Sequence, residues 1–180
     1  WIEIQEIVNP KKVIEIGMWA GHSALLMMTV FKNLQHLVSY DPHPVSERNA
    51  KQIKKFWPQH TYYRDAIWGN EDRHSNIDLI FVDGNHAKES PMKDFLSCLK
   101  VKPRYMVVDN LEYENIRELC ARKLIIKNSV HSFRYGLDAL EFKPMYWFYT
   151  NTKYSKSFGY TAKRPGIMGL FKMEGNYESS

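Results

Sequence analysis

Four near-continuous apolar runs, each carrying an acid at or near its end, set the strongest limit on how this chain can fold. They read VIEIG (13–17), HLVSYD (36–41), IDLIFVDG (77–84) and YMVVDN (105–110). Runs this apolar lack the alternation of a strand with one wet face, so both faces are expected to be covered. A further strand is expected at TYYRDA (61–66). Helical patterns fall between the runs, at 21–32, 45–57 and 89–100, and another follows at 112–123. Strands alternating with helices define an α/β fold with a doubly wound, mostly parallel sheet. The acids Glu15, Asp41, Asp83 and Asp109 are spaced 26, 42 and 26 residues apart, and Asp65 divides the middle interval into 24 and 18. That is close to one β-α unit per acid. Right-handed crossovers then bring these strand ends to one edge of the sheet, the edge at which open α/β sheets bind ligands.

Beyond residue 123 the pattern changes. MYWFYTNTK (145–153) and GIMGLFKM (166–173) read as two strands, expected as a C-terminal antiparallel pair at the far side of the sheet. A chain of 180 residues can bury a full core, and no repeat or low-complexity tract divides it, so residues 1–180 are expected to form one domain. Hydrophobic residues at 44% and charged residues at 25% exclude a disordered chain. Basic residues exceed acidic ones by five, without a long basic run, which permits an anionic partner but does not demand one. Cys98 and Cys120 lie in helical patterns with no metal-binding spacing, so free buried thiols and a cytoplasmic setting are expected. No run approaches the ~20 apolar residues of a membrane span. Trp1 stands where a start methionine would, which leaves a preceding segment open.

In VIEIGMWAGHSALLMM (13–28) the pattern E-x-G-x-x-x-G-x-S joins the first strand to the first helix. Gly17 permits a tight turn, and Gly21 lets a ligand approach the helix start, whose N–H groups face it. Ser23 caps that helix or bonds the ligand. The pattern is neither the dinucleotide G-x-G-x-x-G nor a P-loop. Glu15, beside the first glycine, disfavours a phosphate and favours a cationic or amine-bearing ligand. Asp41 stands where acids of nucleoside-binding α/β folds accept hydrogen bonds from both ribose hydroxyls. In RDAIWG (64–69), Asp65 and the Ala66 backbone are placed to meet an adenine, and Trp68 covers the base or fills the core. His22 and His43 are placed to reach the same edge.

Over residues 10–123 these features resemble the class I S-adenosylmethionine-dependent methyltransferases. The resemblance implies a Rossmann-like sheet and S-adenosyl-L-methionine as cofactor. It implies that the Gly17–Gly21 loop lies along the methionine part with Glu15 near the amine, that Asp41 holds the ribose, and that Asp65, Ala66 and Trp68 frame the adenine.

FVDGNHAKES places Asp83 and His86 after the fourth strand, and MVVDNLEY places Asp109 and Asn110 after the fifth. If those strands are neighbours, Asp83, Asp109 and Asn110 converge as hard oxygen donors suited to Mg²⁺ or another divalent cation. This set is similar to that of the metal-dependent O-methyltransferases, of the catechol and macrolide-sugar types. The D-G-x-H form is closer to the sugar-modifying branch, in which the histidine acts as base. The resemblance therefore implies O-methylation of a small hydroxylated acceptor, a sugar or a phenol, with His86 and Asp83 catalytic. Arg134, Tyr135, Gly136 and the loop 149–166 are candidate acceptor contacts. DGNH replaces the N/D-P-P-Y/F motif of base-modifying enzymes, so nucleic acid is not the expected partner. An RNA ribose methyltransferase using Lys88 or Lys102, a metal-dependent hydroxylase on the same scaffold and a non-catalytic cofactor-binding relative stay open, as does a homo-oligomer.

Overall fold

The computed structural model describes residues 1–87, 89–110, 116, 146–149 and 167–173, with 146–149 and 167 described by their backbone. Seven strands form one sheet in the order β3-β2-β1-β4-β5-β7-β6. The strands β1 (Lys12–Ile16), β2 (His36–Tyr40), β3 (His60–Tyr63), β4 (Leu79–Val82) and β5 (Tyr105–Val108) run parallel. β7 (Ile167–Lys172) is antiparallel to β5, and β6 (Tyr146–Tyr149) is antiparallel to β7. The Rossmann-like α/β sheet with its C-terminal antiparallel pair is thus the arrangement the sequence leads one to expect. Strand order reverses between β1 and β4, which makes the carboxyl ends of those two strands the switch point where such sheets hold ligands.

Strand alternation sorts the core into two layers. Ile14, Ile16, Val38, Tyr40, Ile80, Val82 and Met106 pack on one face with Phe95 and Cys98 of α4 (Ser90–Val101). Val13, Leu37, Leu79, Phe81 and Val107 pack on the other with α1 (Ile2–Val8), α2 (His22–Val30) and α3 (Pro44–Phe56). Each fully buried aliphatic side chain contributes about 1.5–3 kcal/mol relative to exposure.

The helix α1 is not among the expected elements, which begin at Val13. Its burial has helical period: Ile4 and Val8, one turn apart, face the core, while Ile2 is exposed. Trp1 packs edge-on against Phe31 and Phe81, with ring centroids 5.9 and 4.9 Å away. Asn9 in the left-handed region ends the helix, and Pro10 follows.

The acid-bearing runs are also longer than the strands inside them. β2, β4 and β5 stop one residue before Asp41, Asp83 and Asp109. Each of these acids keeps its amide in the ladder: Asp41 donates to the Tyr63 carbonyl at 3.2 Å, Asp83 to Ile16 at 2.8 Å and Asp109 to Val82 at 3.0 Å. The next carbonyl and the side chain are thereby released at the rim. Asp65 lies two residues past β3, in a bend, while Glu15 lies inside β1. Among the described residues no helix is long and apolar enough to cross a membrane. Cys98 is a buried free thiol. The expected helix 112–123 lies outside the described residues apart from Ile116, which is helical and buried, as do Cys120, Lys88, Arg134, Tyr135, Gly136 and the loop 150–166.

Candidate cofactor and active site

The turn out of β1 is built on left-handed backbone. Gly17, Trp19 and Gly21 have φ of 88°, 46° and 84°. A Cβ on Gly17 would run into the Asp83 carbonyl at the exit of β4, so glycine is required here by conformation and by space. The Gly17 amide donates to the Tyr40 carbonyl at 2.9 Å, tying the loop to β2 as well. Gly21 is the N-cap of α2. The place its side chain would take lies 2.8 Å from Ile53 Cδ1 and 3.0 Å from Met18 Cε, so this glycine lets α2 close on α3.

Trp19 joins this loop to the first rim acid. Its amide donates to Asp41 Oδ2 at 2.7 Å, and the His43 amide donates to Asp41 Oδ1 at 2.8 Å. The carboxylate is 7% exposed and held at both oxygens, with further lone pairs facing a cleft. His43 caps α3 by accepting the Val45 amide at Nδ1, and its ring sits 4.6 Å from that of Trp19. Across the cleft lie Asp65, Ala66 and Trp68. Asp65 Oδ1 accepts the Ala66 amide at 2.8 Å, and Trp68 Nε1–H donates to Asp94 Oδ1 at 2.8 Å. The cleft holds about 540 Å³, within the usual range for small-molecule sites.

A second cleft of about 450 Å³ lies on the other side of the glycine loop, lined by Trp1, His22, Ser23, Leu26, Asp83, Asp109 and Met168. Gly17, Trp19 and Asp83 line both clefts, so the two meet at the switch point between β1 and β4. The register pairs Val82 with Val108, so Asp83 and Asp109 stand side by side on neighbouring strands, about 4.8 Å apart along the backbone. His86 Nε2 lies 3.9 Å from Asp83 Oδ1. His86 itself lines a narrower recess with Asp109 and Asp94 rather than either large cleft. Asn110, at φ 61°, donates its amide to Asp109 Oδ1 at 2.7 Å and lines neither large cleft. Among the described residues no three His, Cys, Asp or Glu side chains gather as a metal-ligand group. A cation at this rim would rest on the Asp83 and Asp109 carboxylates with the Asn110 side-chain oxygen and water. Mg²⁺ tolerates that chemistry, because it commonly keeps several waters and takes one or two carboxylates.

Glu15 does not face either cleft. Ile14 and Ile16 point toward α4, so alternation turns Glu15 the other way, beneath α2, where it is fully buried. Ser23 Oγ donates to its Oε1, and Ser39 Oγ donates to Oε2 at 2.6 Å. Ser23 thus anchors α2 to β1 rather than capping it, and α2 has no side-chain cap. While Glu15 is ionised, Ser39 gives its one proton to Oε2, and His60 Nε2, at 2.9 Å, is then the donor in that contact. Burial pushes the Glu15 carboxyl up to about 7 against the two serine hydrogen bonds. Burial likewise pushes His60 down to about 4, helped by Lys54 and His36.

Among the residues of the first cleft that sequence reasoning missed are Trp19 and Asp94. Trp19 carries no motif, since only its left-handed φ marks it. Asp94 was legible, because it interrupts the apolar face Pro91–Phe95–Cys98 of α4.

The fold is shared by enzymes of differing acceptors. N-methyltransferase NodS from Bradyrhizobium japonicum WM9, in complex with S-adenosyl-L-homocysteine, superposes with TM-score 0.65 at 12% identity over 96% of this chain and 84% of that one. A candidate O-methyltransferase from Klebsiella pneumoniae gives 0.61 at 14% identity over 94% and 76%. An rRNA methylase from Streptococcus thermophilus gives 0.59 at 8% identity over 96% and 94%. No curated protein matches by sequence. At these identities the likeness defines the class I methyltransferase fold. The sequence profile described as a methyltransferase domain matches residues 14–108, which spans β1 to β5, and the chain belongs to that family.

Proposed function

We propose that the protein transfers a methyl group from S-adenosyl-L-methionine to a hydroxyl of a small acceptor. The observation that carries this reading is the junction of two clefts at Gly17, Trp19 and Asp83. A ligand with a nucleoside at one end and an amino acid at the other fits two such clefts, with its sulfonium at the junction. When bound, it supplies an electrophilic methyl group.

The chain's own residues do the rest. Asp41, already fixed by two amides, offers its outer lone pairs to the ribose hydroxyls. Asp65 and the Ala66 backbone take the polar edge of the base. Asp83, at the junction, offers a negative charge to the ligand's cationic groups, worth a few kcal/mol at a partly exposed site. His86 Nε2 accepts the acceptor's proton, the part a general base plays. Asp83, Asp109 and Asn110 would hold a Mg²⁺ ion, which lowers the pKa of a hydroxyl near it. Holding both reactants at one rim supplies much of the acceleration.

The basic balance of the chain, net +5, favours a second reading in which the hydroxyl belongs to RNA. Calorimetry with S-adenosyl-L-methionine and S-adenosyl-L-homocysteine tests the cofactor. Mass-spectrometric screening of hydroxylated metabolites and of RNA, with and without EDTA, tests acceptor and metal. Micromolar cofactor binding and an EDTA-sensitive gain of one CH₂ on a small molecule are expected. Absence of cofactor binding would overturn the reading.

A further inference from the structure

The first cleft contains a carboxylate that the reading above leaves without a task. Asp94 is 5% exposed on the inner face of α4 and lines the cleft beside Trp68 and Gly84. An apolar residue would pack there without the cost of burying a polar group. The position is instead built around the acid. Its Oδ1 accepts the Trp68 indole N–H at 2.8 Å. Its Oδ2 lies where a Cβ on Gly84 would stand 2.5 Å from it, so a side chain there would push the carboxylate out of its place. Gly84 has no left-handed φ to explain it, so space for Asp94 is what the glycine provides. The neighbouring residue on α4, Lys93, sets its ammonium 5.1 Å from the Trp68 ring centroid. One turn of α4 therefore fixes the indole twice, at its N–H edge and at its ring.

We propose that Asp94 is a positioning residue that fixes the Trp68 indole as the platform for a planar heteroaromatic base in the first cleft. The inference rests on the cofactor reading above, because it takes the cleft to hold a nucleoside. Asp94 acts through Trp68, and Gly84 is glycine so that Asp94 can lie against it.

Calorimetric affinity for S-adenosyl-L-homocysteine in D94N, D94L, G84A, W68F and the W68F/D94L pair tests this. The ¹⁵N-indole resonance of Trp68 reports the hydrogen bond without ligand. D94N keeps an oxygen acceptor and is expected within twofold of the unmodified chain. D94L and G84A are expected to weaken binding about tenfold and to shift the Trp68 resonance. In the cycle, D94L and W68F are expected to be non-additive, the pair no weaker than its worse member. A D94N as damaging as D94L, or losses that multiply in the pair, overturns the proposal. If D94L does not fold, G84A and the W68F/G84A pair make the same decision. An unmodified chain that binds no nucleoside overturns the cofactor reading and this inference together. Good binding with additive losses overturns this inference alone.

Discussion

The two sides of the rim are built differently. In the first cleft, the proposed nucleoside side, Asp41 is almost buried and both of its oxygens are held by backbone amides, while Trp68 donates to Asp94. At the proposed acceptor end, where the clefts meet, Asp83 and His86 are about one-third exposed, with side chains 36% and 35% accessible, and they stand 3.9 Å apart. Backbone amides hold a carboxylate without side-chain entropy to lose, so the first side is preorganised for one ligand. The second presents wetter groups, whose geometry tightens with the acceptor present. The contrast fits a common cofactor and a variable acceptor. It also says that substitutions on the two sides fail in different ways.

The largest effect falls on the hinge between the sides. Gly17→Ala combines a left-handed φ with a clash against backbone, and backbone cannot rotate out of the way. A loss of roughly 3 kcal/mol or more is expected, read as a collapse of the thermal transition. Gly21→Ala meets only the far ends of Ile53 and Met18, which can shift, so its loss is expected to be clearly smaller. Equal losses would show that strain alone, rather than the approach of β4, governs the loop.

Asp109→Ala should break the acceptor side alone. Turnover is expected to fall about 100-fold or more, while cofactor affinity stays within about threefold. Loss of metal stimulation should accompany it, and unchanged EDTA sensitivity would remove Asp109 from any cation site. Asp41→Ala should break the nucleoside side. Cofactor affinity is expected to fall about 10- to 100-fold, with a lower melting temperature because the Trp19 and His43 amides lose their acceptor. A cofactor affinity that survives this change would mean that Asp41 serves the loop rather than the ligand.

Much of this rim was legible in the sequence because periodicity and covalent order carry it. Apolar runs and intervening helices fix the alternation, right-handed crossovers fix the edge, and the acids after β2, β4 and β5 follow. What stayed hidden depends on side-chain direction and on packing between distant segments. Glu15 shares a motif with Gly17, yet pleat direction sends it beneath α2. Trp19 acts through its amide, which no residue type announces. The helix α1 is too short for its sequence period to stand out, and it is held by the docking of Trp1 onto Phe31 and Phe81.

The smallest effect at neutral pH, and the most informative in sign, comes from the buried Glu15. Its carboxyl is raised by burial to about 7, above its usual range, so the folded chain holds the proton more tightly than the unfolded one. Its contribution to stability is fully present below about pH 4.5 and is lost as pH rises through about 7, by about 3 kcal/mol at most. His60 runs the opposite way: its contribution is present above about pH 6.5 and is lost as pH falls through about 4. In the unmodified chain these slopes oppose each other across the same window. Glu15→Gln keeps a polar group for Ser23 and Ser39 but removes the ionisation, so the falling Glu15 slope is lost while the rising His60 slope stays. Near pH 7 the change should be about 1 kcal/mol, because relief from burying a charge offsets two weakened serine hydrogen bonds. Melting temperatures followed from about pH 5 to pH 8 should therefore rise with pH more steeply in Glu15→Gln than in the unmodified chain. Parallel profiles would mean that Glu15 is already ionised at low pH. The buried Ser23–Glu15–Ser39–His60 chain would then be a fixed charge beneath the cleft rather than a neutral strut between α2 and the sheet.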